Sequence, residues 1–287
     1  MNNEYVIITD IVADLGKQYA EAEKIDIIPL YYRFEGEQIV YGGENEISQE
    51  AFYEKLSKNI RPYTMGANIQ FVEDIFRKRL EEGKDILCII LSTNVSGTYN
   101  AAYTVANELR QEYKERKINL VDSLSASLTE GLLVKEAVNL KNEGKSIDQV
   151  TKYVEENKRK YAARFLVADL KYLVLGGRLN KISGRIGNML NLKPVLKLTE
   201  DGNIEMVFKT RGHKQAITAM LKSVKETLSS EDHIAVLHAG NEQLAMLVKE
   251  RIENELNLKV EIVSSITLIL GSHMGKDAVG IVYIGKR

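Results

Sequence analysis

Through the first half of the chain, short β-branched runs alternate with segments of helical periodicity, and this rhythm constrains the fold more than any other feature. Strands separated by helices return to the same edge of a sheet, so the alternation predicts a parallel sheet with crossover helices. The predicted strands are Val6–Thr9, Ile25–Leu30, Ile86–Leu91, Ile118–Val121 and Phe165–Val167. Between them, Ser48 is placed to cap a helix over Gln49–Lys58, with Ile47 and Phe52 at the spacing of a hydrophobic staple. Asn68 caps a second helix ending near Gly83, Thr98–Glu115 forms a third, and Ser146 with Gln149 is a capping-box pattern for a fourth. Residues 1–168 are therefore expected to form an N-terminal parallel-sheet α/β/α domain.

After about Asp169 the rhythm changes. Pro194–Leu198 and Ile204–Lys209 flank Glu200-Asp201-Gly202, a turn signal of the kind that joins antiparallel strands. A helix over Lys214–Leu228, a strand at Ile234–His238, a helix over Glu242–Leu256 and strands at Val260–Val263 and Ala278–Ile284 follow. Residues 169–287 thus read as a smaller C-terminal α/β domain with a mixed or antiparallel sheet. No low-complexity linker separates the halves, so the two domains are expected to pack closely around a cleft, a common place for a ligand.

Several function classes are disfavoured by composition. The 287 residues are 44% hydrophobic, enough for two ordinary cores. Charged residues are 28% of the chain but nearly cancel to a formal -1, which leaves no global basic field for nucleic acid. The first ten residues carry no basic leader and only a four-residue apolar run from Val6, so no integral membrane segment is expected there and the predicted location is the cytoplasm. The single cysteine, Cys88, lies in the apolar run Ile86–Leu91 and reads as a small core hydrophobe. The four histidines lack metal-site spacing and no P-loop or dinucleotide glycine pattern occurs, so neither a metal nor a cofactor is expected.

The most informative local unit is Ile89-Ile90-Leu91-Ser92-Thr93-Asn94-Val95-Ser96-Gly97-Thr98-Tyr99, an apolar strand running through a small-polar loop into a helix. Free backbone N–H groups, a hydroxyl and the positive helix end converge there, as a carboxylate or phosphate requires. Helix capping by Ser96 or Thr98 explains the same residues. Ser96 also stands between strand and helix as a hydrolase nucleophile does, yet Asn94 and Thr98 occupy the glycine positions of that elbow. Thr64 lies in a predicted loop, Tyr63 to Asn68, leading into a helix; it reads either as an extra hydroxyl donor or as a turn residue. Gly176-Gly177-Arg178 reads as a helix stop followed by an arginine, and Arg211 follows a strand; each arginine suits an anion or plain solvent exposure. His273 sits between Gly271 and Gly275 in what reads as a loop before the last strand.

Taken in order, these pieces resemble the DegV family of bacterial fatty-acid-binding proteins over nearly the whole chain. The matching segments are Ile8-Thr9-Asp10 with Ala13-Asp14-Leu15, Ser96-Gly97-Thr98-Tyr99, Asp122-Ser123 with Ser125, Leu170-Lys171-Tyr172-Leu173 through Arg178, Lys193-Pro194, Thr210-Arg211, and Gly271-Ser272-His273 with Gly275. The resemblance implies a long-chain fatty acid lying between the two domains as the bound ligand, with no other cofactor and no catalysis by the chain itself. It implies that Thr64 and Ser96, with Gly97 and His273, receive the carboxylate. It further implies that Fak-type members present that carboxylate to a separate fatty acid kinase for phospholipid synthesis, with Arg178 and Arg211 at the head group or the kinase contact. The chain departs from the family pattern at Ile11-Val12, where Ser-Thr is usual, at Met65-Gly66-Ala67 in place of Ser-Gln-Pro, and at Lys276-Asp277 in place of Pro-Gly.

Overall fold

A computed structural model describes residues 4–41, 46–179 and 192–287. From the N-terminus come β1 (Tyr5–Asp10), α1 (Lys17–Ala22), β2 (Asp26–Ile28), β3 (Tyr31–Phe34), β4 (Val40–Tyr41), α2 (Gln49–Ser57) and β5 (Pro62–Met65). There follow α3 (Ile69–Glu81), β6 (Asp85–Ile90), α4 (Thr98–Glu112), β7 (Ile118–Asp122), α5 (Leu128–Asn142) and α6 (Ile147–Asn157). The remainder is β8 (Tyr161–Leu166), α7 (Lys171–Leu175), β9 (Leu192–Leu198), β10 (Ile204–Arg211), α8 (His213–Thr227), β11 (Ala235–His238), α9 (Glu242–Leu256), β12 (Ile262–Ser265), α10 (Leu268–Met274) and β13 (Val279–Ile284).

Four strands form a parallel sheet in the order β2-β1-β6-β7. β1 and β6 are buried at every position, which is why both read as unbroken apolar runs rather than alternating ones. Cys88 is fully buried in β6. The expected caps are in place: Ser48 accepts from the Ala51 amide, Asn68 from the Gln70 amide, and Ser146 with Gln149 closes a reciprocal capping box. Among the elements that escaped the sequence reading are α1, α5, α10 and a small antiparallel sheet, β4-β3-β5. In that sheet Tyr32 pairs with Thr64, so Thr64 stands on a strand and not in the predicted loop.

The second sheet has six strands in the order β10-β9-β8-β13-β11-β12, with only β11 and β12 parallel. The predicted β9–β10 hairpin is present, and its tip is docked: Ser92 Oγ donates to the Gly202 carbonyl at 3.0 Å and Asn94 Nδ2 to the Asp201 carbonyl at 2.6 Å. The last strand of the expected parallel series is a correction. β8 is an interior strand of this second sheet, antiparallel to both β9 and β13. Its six buried residues announce burial on both faces, and burial alone does not say which sheet supplies the neighbours. One face of the six-stranded sheet packs under α8 and α9 through Val236, Met220, Val248 and Ile281. The opposite face, with Phe165, Leu196, Leu237 and Val282, joins the core of the parallel sheet.

The sheet order places a switch point between β1 and β6, where chain connections leave in opposite directions and ligands of such folds settle. A buried carboxylate shapes it: Asp10 accepts from the Val12 and Leu91 amides, each at 2.9 Å. Burial pushes the Asp10 carboxyl up to about 6, against those two bonds, and pushes the nearby Asp14 up to about 7. Glu130, fully buried on α5, accepts from Thr9 Oγ1 at 3.1 Å; burial and then Asp10 drive its carboxyl well upward. The folded chain therefore keeps protons here that the unfolded chain releases between about pH 4 and 7, so this cluster's contribution to stability falls as pH rises through that window. The urea midpoint of the Asp14→Asn variant should consequently vary less between about pH 5 and about pH 8 than that of the wild type. A second test concerns Gly131 in α5, where an added Cβ would stand 2.3 Å from the Ala13 carbonyl oxygen. Gly131→Ala gains ~1 kcal/mol of helix propensity but forces a backbone contact apart, and should lower stability by a net ~1–3 kcal/mol in urea unfolding.

Candidate functional site

Below the switch point, a partly open cavity with about 610 Å³ of empty space counted out to solvent is lined by Thr64, Ser96, Arg178 and His273 together with apolar groups such as Leu91, Val95, Leu270 and Met274. Four of the six side chains or positions expected at a head group thus come to one place. Thr64 reaches it from β5, Ser96 from the loop before α4, Arg178 from beyond α7, and His273 from α10. Gly97 lies beside Ser96 at the start of α4. Arg211 is not brought there: it ends β10 opposite Leu192, is exposed, and its amide donates to Gln215 Oε1.

His273 is helical, not in a loop. Gly271 and Ser272 depress helix propensity and suggest a loop locally, but a side-chain bond within the helix and a cap from a distant residue hold α10 together. Ser272 Oγ donates to the Leu268 carbonyl at 2.8 Å, and the Thr267 amide donates to Asp14 Oδ1 at 2.9 Å, a cap supplied from the far end of the chain. The closeness of α7 fixes the imidazole, because a Cβ on Gly176 would lie 2.4 Å from His273 Nδ1. Its Nε2 is 2.8 Å from Thr64 Oγ1.

The charge pattern is one-sided. Arg178 donates from Nε to the Val95 carbonyl at 2.9 Å and from a second nitrogen to the Gly176 carbonyl. Burial, and then Arg61, lower its affinity for the proton. Arg61 was absent from the sequence reading; it donates to the Leu175 carbonyl at 2.6 Å, and nothing in its local sequence distinguishes it from a surface arginine. Burial, then Arg178 and Arg61, hold His273 down to about 3, so its imidazole is neutral at pH 7. No described residue lining this cavity is acidic, and neither arginine forms an ion pair among the described residues. A half-buried cation with only carbonyl partners favours an incoming anion.

Ser96 is bonded locally: its Oγ is 2.9 Å from Thr98 Oγ1 and accepts from the Thr98 amide at 3.3 Å. Thr98 Oγ1 also accepts from the Ala67 amide at 3.3 Å, tying the altered Met65-Gly66-Ala67 segment to the Ser96 loop. Thr98 is thus a bridge as well as a helix residue, a role that depends on a strand far away in sequence. Among the described residues Ser96 makes no hydrogen bond to His273, whose Nε2 is at Thr64 and whose Nδ1 lacks a partner. Nothing there forms the base and orienting acid that nucleophilic serines need.

Away from the polar end the space becomes apolar. A second, partly open region with about 620 Å³ of empty space counted out to solvent is lined by Ala163, Phe165, Leu237 and Val282 of the six-stranded sheet, and it shares Ala126, Leu198, Ile204, Leu270 and Met274 with the first. The two adjoin through these shared residues, the first more polar and the second mostly apolar. Among the described residues no grouping of metal-ligating side chains occurs, and no helix is long and apolar enough to cross a membrane. The His273 environment yields a direct check: in the ligand-free protein its ring should remain neutral in NMR titrations from about pH 8 to about pH 5, whereas a midpoint near the ordinary ~6.5 would mean that the site is open to water.

Comparison with known proteins places this geometry. Residues 4–286 match the family described as "Uncharacterised protein, DegV family". A DegV domain-containing protein of Clostridium perfringens is 31% identical over 285 residues, 98% of each chain. Among solved structures, a fatty-acid-binding DegV family protein from Thermus thermophilus is 28% identical with a TM-score of 0.88, covering 98% of this chain and 99% of its own. DegV of Bacillus subtilis, described as a fatty acid binding protein, is 28% identical with a TM-score of 0.84, covering 99% and 100%. By full-length match and by architecture, the chain belongs to the DegV family.

Proposed function

We propose that this protein carries one long-chain fatty acid, with the carboxylate at Thr64, Ser96, Arg178 and His273 and the acyl chain in the apolar space between the sheets. The observation behind this reading is a pair of adjoining pockets with shared lining, one cationic and hydroxyl-rich, the other mostly apolar, and neither with an acidic lining residue. Fatty acid binding in the Thermus and Bacillus relatives supports the same ligand class. Burying some fifteen methylenes at ~0.8 kcal/mol each gives on the order of 10 kcal/mol before ordering costs. A hydrogen bond to a charged head group adds ~1.5–3 kcal/mol. The tail therefore sets retention, and the head group sets orientation.

In this proposal the chain is not itself an enzyme; it presents the carboxylate to a separate fatty acid kinase for phospholipid synthesis. Arg211, exposed and outside the cavity, acts at the kinase contact, while Arg178 serves the head group. The rival, a Ser96 hydrolase, is disfavoured by the separation of the Ser96 and His273 bonding partners.

Solvent extracts of the purified protein should contain about one acyl chain per polypeptide, and an added fatty acid should raise the melting temperature. No acyl species in the extract and no thermal shift would remove the carrier reading. Ser96→Ala and Thr64→Val should weaken retention by about ten- to a hundredfold without abolishing it. Arg211→Ala should leave retention nearly intact and reduce acyl-phosphate formation with the cognate kinase; loss of retention, or unchanged phosphorylation, would refute the division of roles.

A further inference from the structure

The acyl space has a second boundary, at Asp14. Ser127 and Ile266 line its apolar half. Ile266 also lines a neighbouring open groove, together with Asp14 and Thr267. The Asp14 side chain is bonded to one residue of each lining. Ser127 Oγ donates to Asp14 Oδ2 from the inner side, and the Thr267 amide donates to Oδ1 at 2.9 Å from the outer. The groove beyond has about 1900 Å³ of empty space counted out to solvent, and its walls include Ile11, Leu15, Ile27, Phe71 and Ile75. It would accept hydrocarbon.

We propose that Asp14 is a gate at the tail side of the acyl cavity: its carboxylate, held between Ser127 and Thr267, closes the cavity against the outer groove and so limits the length of chain the protein accepts. This rests on the carrier reading above.

Two features support the assignment. Backbone geometry is committed to the contact: Asp14 is left-handed at φ 52, ψ 32, and Ser127 holds φ 61, ψ -154, a region that non-glycine residues avoid at a cost. The carboxyl is also poorly suited to its surroundings, since burial pushes it up to about 7 although both its oxygens accept hydrogen bonds. An apolar side chain would seal a permanent wall without that penalty, whereas a hydrogen-bonded partition can part and close again.

The test is competition for the protein among saturated straight-chain fatty acids differing by two methylenes, with bound acids quantified by mass spectrometry. Asp14→Gly removes the side chain while accepting the left-handed backbone, and Ser127→Gly removes the inner hydroxyl while relieving its φ. In Asp14→Gly the preferred length should move up by one step, and that longer acid should bind roughly tenfold more tightly than it binds the wild type, as expected for two newly buried methylenes. Ser127→Gly should shift the distribution in the same direction by less. Asp14→Asn, whose amide offers both an acceptor to Thr267 and a donor to Ser127, should keep the wild-type distribution. If both glycine variants unfold cooperatively yet retain the wild-type length preference, the gate is wrong and the carrier reading stands. Should Asp14→Gly fail to fold, an unshifted Ser127→Gly is enough to reject the gate. A wild-type protein that takes up no acid from the mixture would overturn the carrier reading and the gate together.

Discussion

The site depends on one carboxylate kept in the dry interior. Asp10 ends β1 and accepts from the Val12 and Leu91 amides, so it joins the turn after β1 to the loop after β6 across the switch point. Without that bond two buried backbone N–H groups would lack partners, at a cost of ~1–3 kcal/mol each. The loop it positions leads directly to Ser96, and Val12 itself lines the head-group cavity. Glu130 and Thr9 complete the cluster. A charged group is costly in this position, and the raised proton affinity of Asp10 measures the cost.

From this anchor the two sheets are held at a working separation by polar contacts at the periphery and by hydrophobic packing between them. The tip of the β9–β10 hairpin bonds to Ser92 and Asn94. Arg287, the last residue of the sequence, donates to the carbonyls of Tyr161 at 3.0 Å and Lys158 at 2.7 Å and to Ser125 Oγ, and burial lowers it to about 10. These bonds brace the rim, so the centre need not be filled completely. Native interiors seldom leave such room, because unfilled space forfeits dispersion contacts. An internal void lined by Phe165, Leu237 and Val282 is therefore informative about function.

The two ends of that void differ in physical character. At the head, neutral His273 and the hydroxyls of Thr64 and Ser96 can donate or accept as a ligand demands, while Arg178 fixes the sign of the charge. Along the other pocket the lining is mostly apolar, with Ser127, Thr129 and His238 as its polar members. On the carrier reading proposed above, retention and orientation fall to different residues, so substitutions at either end should produce separable effects.

The rhythm of apolar runs specified the parallel sheet, since strands buried on both faces must be continuously hydrophobic, and the caps at Ser48, Asn68 and Ser146 were visible because capping is a local interaction. The Glu200-Asp201-Gly202 turn announced its hairpin for the same reason. Other features were decided only by tertiary contact. β8 reads identically in either sheet, and its neighbours β9 and β13 lie later in the chain. Thr64 became a strand residue through pairing with Tyr32, and α10 became a helix with Asp14 as its distant cap. Arg61 and Thr98 acquired their roles from groups remote in sequence, whereas Arg211 remained at the surface. Periodicity, turns and caps depend on neighbours within a few residues and can be read from the sequence. The shape of a cavity and the proton affinity of a buried side chain depend on which distant atoms exclude water, and only the folded chain determines that.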